Sequence, residues 1–487
     1  VITICRIATS LFAGVLAAVI MITAEAGLVH AKSDGAPSYN YSFWEESVPA
    51  PAAYHPTRLV DGESLGIGAF KEPNDLHVTK DLDVYILDSG NNRVVHLDEN
   101  MQIIREFDSF RLDGQLSQFV NPQGIFVNDE QDIFIADTGN RRVVHLDNQL
   151  ELVKIIDEPE SELIDDNFTF IPVKVVTDFA DRVFVMAEGV FDGFMEFNVE
   201  GDFTTFIGAN RVKVDPVEYL WKRFATREQR SQMVMYTPTE LTSLDIDEQG
   251  FIFATNMDSS EAVIKKLNAR GDDILRREGY FSPIGDVLYT RSGGASQLID
   301  ISVADNEIYS VLDSKRGRIF TYNGDGHLMY IFGGLGNKIG EFHTPVAIDR
   351  SGDEFIVLDR ELAEFTVFTA TEYGQTLNEA VRSYETGDEE QAHQLFQEAV
   401  DMNANLEFAY TGIGKALLRQ DEYKNALHYF ERSLDQSNYS KAYLLYRNHA
   451  LRDNFSLIMT GLIAVTAGVL VLIYYRRKSK RKRGVTI

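Results

Sequence analysis

The side chains able to attack, shuttle protons or hold a metal are sparse and scattered in this chain. There is one cysteine, Cys5, so disulfides and thiolate metal sites are excluded. Of ten histidines, His96 and His145 stand at matching positions in RVVHLDEN and RVVHLDNQ, which marks them as pattern rather than converging ligands. The run DIDEQG, Asp245 to Gly250, starts like a calcium loop but lacks the closing Glu. No HExxH, nucleophile elbow or glycine-rich phosphate loop is present. No catalytic, cofactor-binding or metal-ligating set is therefore assigned. Binding character is clearer. After Pro216, VEYLWKRFATREQRSQM predicts a helix of about four turns carrying Trp221, Lys222, Arg223, Arg227 and Arg230. Arg and Trp anchor interfaces, and Arg pairs carboxylates or stacks on sugars. Trp221, Arg223, Arg227 and Arg230, with Asp286 of a second irregular stretch (280–297), are the candidate partner-binding residues, for a protein or a carbohydrate.

The elements that must carry these residues repeat. DVYILDSGNNRVVHLDEN from Asp83 and DIFIADTGNRRVVHLDNQ from Asp132 are nearly superimposable. Weaker copies start near Asp181, Gly250, Asn306 and Asp353. Each is an alternating apolar strand, a polar turn and a second strand, which is hairpin patterning of period two. Pro73, Pro122, Pro172, Pro238 and Pro345 punctuate the units. Six such units predict an all-β six-bladed propeller rather than a sandwich. The last unit has only three strands before Thr371, whereas Thr57 to Pro73 has the layout of a fourth strand with no blade before it. The N-terminal segment is therefore expected to close blade six, which removes the exposed edge.

The strings YILDSGNNRVVHLD and FIADTGNRRVVHLD resemble NHL repeats over residues 58 to 370. In a repeat of this type the signature residues Asp88, Gly90, Asn91, Arg93, Asp137, Gly139, Asn140 and Arg142 are structural: the glycines permit a tight turn and the Asp–Arg pairs tie strands together. The resemblance also implies an alternative, because some similar propellers are lactonases of the gluconolactonase type with a channel metal, and others are lyases using a channel His. Here the positions where each blade enters the channel read Asn74-Asp75, Gln123-Gly124, Val173-Lys174, Thr242-Ser243, Asp300 and Val346-Ala347. Two carboxylates sharing a ring with a lysine make a poor metal cage. A binding or scaffold role, beside a membrane transport complex for instance, is the preferred expectation.

After Ala370 the period becomes 3.6. Ala392 and Ala426, Phe396 and Phe430, and Ala380 and Gly414 recur at one spacing, which resembles TPR repeats over 371–453. The termini set a topology. Residues 1–31 have the layout of a signal peptide ending at Val29-His30-Ala31, and 32–56 read as linker. Phe455 to Tyr475 is uncharged, and at about 1.5 Å per residue it matches a bilayer core of ~30 Å. Seven Lys and Arg follow in 476–487, which predicts a cytoplasmic tail and an ectodomain outside the cell membrane. The net charge is −28 despite that tail, and so acidic a body argues against nucleic acid as a partner.

Overall fold

A computed structural model describes residues 38–159, 161–164, 168–208, 240–257, 262–288 and 293–483. Six antiparallel sheets stand around a central axis, and the first strand of each packs on the first strand of the next until the ring closes. Those first strands are Asp75–Val78, Gly124–Val127, Pro172–Thr177, Leu241–Ile246, Leu298–Val303 and Pro345–Ser351. The second strand of each blade is almost entirely buried, and in Val84–Asp88 and Ile133–Asp137 it is apolar on both faces up to its terminal Asp. It is sandwiched between neighbouring blades, so both of its faces meet apolar side chains. The hairpins between first and second strands are nucleated by short polar side chains. Asn128 Oδ1 accepts from Asp132 N at 2.8 Å, and Asp247 Oδ1 from Phe251 N at 2.8 Å.

Closure follows the expectation. Tyr54–Asp61 pairs antiparallel with Glu364–Ala370 as the outermost strand of blade 6, from Tyr54 opposite Ala370 to Asp61 opposite Glu364. The strand starts three residues before the expected Thr57. The segment read as linker is also built into the fold, since Tyr39–Tyr41 and Ser47–Pro49 form a hairpin. Its Tyr41 is buried with Phe253, Val311 and Phe320, which gives this polar-looking stretch an apolar anchor. Blade 4 has three paired strands among the described residues.

Six helices follow: Glu372–Thr386, Glu389–Met402, Glu407–Arg419, Tyr423–Arg432, Gln436–Asp453 and Phe455–Arg483. Thr371 caps the first by accepting from Gly374 N at 3.2 Å, and its hydroxyl donates to Ala52 O at 2.7 Å beside the closing strand. Gly387, at φ 87°, ends that helix, and Asp388 caps the next. The third and fourth helices cross closely at Gly414, where a Cβ would stand 2.6 Å from the Phe430 ring. The helices are not a separate body. Leu377, Ala380, Phe396 and Phe408 share one core with Tyr54, Phe332, Phe355 and Phe368 of blades 5 and 6. At that joint Lys415 Nζ meets Asp325 at 2.6 Å and Glu278 at 3.0 Å. The last helix is different: Phe455–Ser479 is long and apolar enough to cross a membrane, and none of it is buried against the protein.

Candidate ligand-binding funnel

The first strands place two rings of side chains in the channel because alternate residues share a face. One ring is Asp75, Gly124, Lys174, Ser243, Asp300 and Ala347; the other, two residues on, is His77, Phe126, Val176, Asp245, Ser302 and Asp349. Four aspartates clamp blade to blade through backbone amides. Asp75 accepts from Ile125 N at 2.9 Å, Asp245 from Val303 N at 2.7 Å, Asp300 from Ile348 N at 2.8 Å and Asp349 from Val78 N at 2.8 Å. Lys174 crosses the channel to Asp75 at 2.7 Å and Asp300 at 3.2 Å. Burial pulls its ammonium down, but the carboxylates of Asp300 and Asp75 outweigh that and hold it above the ordinary lysine value. Burial raises Asp75, Asp245 and Asp349 above the usual carboxylate range, and for Asp245 the charge of Asp349 adds to it. His77 is pushed down to about 4 by burial, while its Nε2 lies 3.0 Å from Val127 O. These groups are spent on the ring itself: the carboxylates hold amides and an ammonium.

Above this floor the channel widens into a funnel of ≈ 770 Å³, bounded by the first hairpin of all six blades. That is the size of a small-molecule or side-chain site, commonly about 300–1,000 Å³. Its wall is mainly acidic, with Asp81, Asp129, Asp178, Asp247 and Glu248. Lys80 reaches across it to Asp129 at 2.8 Å and Glu248 at 3.5 Å, with its ammonium 5.8 Å from the Phe179 ring centre. Phe179 is 63% exposed, an aromatic face open to a ligand.

The NHL-like signature lies at the other end of the blades. Asp88 Oδ1 accepts from Lys71 N at 2.7 Å, and its Oδ2 accepts from Asn91 Nδ2 and Arg93 Nε, both at 2.8 Å. Asp137 repeats this with Val120 N, Asn140 and Arg142. The expected structural tie is present, but the glycines act differently from the expectation. The left-handed positions are Asn92 (φ 56°) and Arg141 (φ 57°). Gly90 and Gly139 instead let another chain segment approach: a Cβ would stand 2.6 Å from Lys71 O and 2.4 Å from Val120 O.

Of the candidate partner-binding residues, Trp221, Arg223, Arg227 and Arg230 lie outside the described residues. Their segment leaves from Gly208 and returns at Leu241, at the blade ends opposite the funnel. Asp286 is not a free surface carboxylate. It is 6% exposed, pairs with Arg316 Nε at 2.9 Å and accepts from the Tyr41 hydroxyl at 2.8 Å. The sequence reading missed the hairpin to which Asp286 is tied, because its contacts bridge distant parts of the chain. It also missed Asp349, although the period-two step from Ala347 points to it. One further cluster, Glu278, Asp325 and His327, has metal-like spacing, but the Lys415 ammonium sits on two of its carboxylates.

No family model matches the sequence, and no curated protein matches it. Among solved structures the fold is similar to virginiamycin B lyase from Staphylococcus aureus, at 9% identity over 61% of this chain and 95% of that one, with a TM-score of 0.38. It is similar to a gluconolactonase candidate at 14% identity, over 66% of this chain and 94% of that one, with a TM-score of 0.38. A protein of unknown function from Bacteroides thetaiotaomicron matches at 10% identity, over 69% of this chain and 76% of that one, with a TM-score of 0.39. At such distances these likenesses carry no argument about chemistry.

Proposed function

We propose that this chain is a membrane-anchored recognition protein, an NHL-type propeller with TPR-like helices held outside the cell, whose funnel takes a ligand without transforming it. The observation that carries the reading is the funnel: six hairpins surround ≈ 770 Å³ above a floor where Lys174 is bound by two carboxylates. An acidic wall with one open aromatic face favours a polar ligand that bears positive charge or hydroxyls, on a protein or a carbohydrate. The apolar C-terminal helix and the basic residues after it support a tethered ectodomain. Trp221 and the basic residues Arg223, Arg227 and Arg230 supply a second contact, for an acidic partner.

The test is crosslinking in intact membranes with a photoreactive side chain at position 179 or, as a comparison, at position 394 on the helices. The reading requires a specific adduct from position 179. Adducts from position 394 alone would move recognition to the helical region.

A further inference from the structure

The helix Gln436–Asp453 packs on the protein through one narrow face, where Asn438 and Ala442 are buried. Beside that face stand Tyr439, Tyr443 and Tyr446, which are 38%, 50% and 36% exposed. The helical period puts these three and Ala450 on one stripe. The stripe does not stop where the helix ends. Asn454, at φ −97° and ψ 8°, sits at the edge of helical space. Its N–H donates to Ala450 O at 3.2 Å, and its carbonyl accepts from Ile458 N at 2.9 Å. Helical hydrogen bonds thus cross the joint and carry the phase into Phe455–Arg483. Asn454, Gly461, Ala464 and Gly468 continue the same stripe, within an arc of about 80° over about eight turns.

Among the described residues, nothing requires a glycine at 461 or 468: a Cβ at either would meet nothing within 4 Å. Glycine weakens a helix interior, so two of them on one face of a span serve the close approach of another backbone. Ala464 and Gly468 have the four-residue spacing of small side chains at such contacts. The occupant must match the stripe on both sides of the bilayer surface. It has to cross the membrane beside the glycines and rise about four turns above it to meet the tyrosines. A second copy of this chain, parallel and in register, does both. It also sets Asn454 against Asn454. Asn454 Nδ2 spends one hydrogen on Ala450 O at 2.8 Å, and its second N–H and its Oδ1 can pair with the same groups of the facing amide. An Asn in such a seam fixes register between paired helices. Area points the same way. At roughly 200 Å² per tyrosine, the exposed parts of the three come to about 250 Å² per copy, or ~500 Å² for a pair. A stable interface takes roughly 1,200 Å², so the spans must add their own contact.

We propose, on the tethered reading above, that two copies of the chain pair as a parallel dimer along this stripe, from Tyr439 to Gly468. The test is disulfide crosslinking of the full chain in its membranes, with Cys5 replaced by Ser and one cysteine introduced at a time. Tyr443→Cys, Tyr446→Cys and Ala450→Cys should each give a product of twice the chain mass. Lys441→Cys and Asn448→Cys, on the opposite face of the helix, should give at least tenfold less. Adding Gly461→Leu and Gly468→Leu to Tyr446→Cys should cut the product at least tenfold while the chain stays in the membrane fraction. The dimer is overturned, with the tether left standing, if a membrane-bound chain gives no product at the stripe, equal product at all five positions, or products with a different protein alone. Full yield after both glycine changes would overturn it as well. A chain found in the soluble fraction would overturn dimer and tether together.

Discussion

Asp88 and Asp137 each gather a backbone amide, an Asn amide and a guanidinium onto one fully buried carboxylate. Replacing Asp88 by Ala removes the acceptor of Arg93 Nε, of Asn91 Nδ2 and of the Lys71 amide, while Arg93 keeps Glu106, so a loss of about 2–4 kcal/mol is expected in urea unfolding. Gly90→Ala should cost about 1–3 kcal/mol through its clash with Lys71 O, whereas Asn92→Gly, at a left-handed position, should stay within about 0.5 kcal/mol. The opposite outcome would restore the turn-forming role for Gly90. His327 gives a pH signature. Its pKa falls from 6.5 to about 4 on folding, so the unfolded chain binds the extra proton. Its contribution is complete above 6.5, shrinks as pH falls and is lost by about pH 4, a change of up to ~3 kcal/mol. Asp75, Asp245 and Asp349 are raised and act with the opposite sign, losing stability as pH rises. Only the difference between the parent and His327→Gln melts isolates the histidine. A difference that is flat with pH would refute the assignment.

The closing strand is the element on which the ring depends. Deleting Tyr54–Asp61 exposes the edge of Glu364–Ala370 and removes the Tyr54 ring from its contacts with Phe332 and Phe355. A lower melting temperature and concentration-dependent association by light scattering are expected; a monomer that melts like the parent would contradict this. This closure was legible because blade six is one strand short in the sequence and the N-terminal segment matches the missing one. The blades were legible for a related reason: a buried second strand such as YILD or FIAD admits one pattern only. Contacts between distant segments were not legible. Lys415, Glu278 and Asp325 are far apart in sequence and share no motif, so their junction appears only once the helices are docked. Asp286 was misread for the same reason. It sits in an irregular stretch that looks exposed, while its partners Tyr41 and Arg316 come from elsewhere. The basic segment keeps its own test. Reversing Arg223 and Arg227 to Glu should weaken capture of a co-purifying acidic partner at least tenfold, about 1.4 kcal/mol, with no change in melting. Unchanged capture would leave recognition to the funnel.

For the whole molecule, the exposed apolar helix Phe455–Ser479 predicts a tethered propeller. Ending the chain at Asn454 should release the protein from membranes into the soluble fraction, and protease added outside intact cells should remove the propeller from the full chain. A protected propeller would reverse the topology. The closed ring has a mechanical consequence for a protein held this way. In the proposed tethered state, load reaches the propeller through the core it shares with the helices and along the chain at Thr371, the end of Glu364–Ala370. That strand is interior to its sheet, flanked by Glu354–Asp359 on one side and Tyr54–Asp61 on the other. Tension along it must shear two ladders at once rather than peel one edge. The Thr371 amide and hydroxyl bonds to Ala53 and Ala52 add a rivet where the pull arrives. An outermost strand in the same place would open one hydrogen bond at a time.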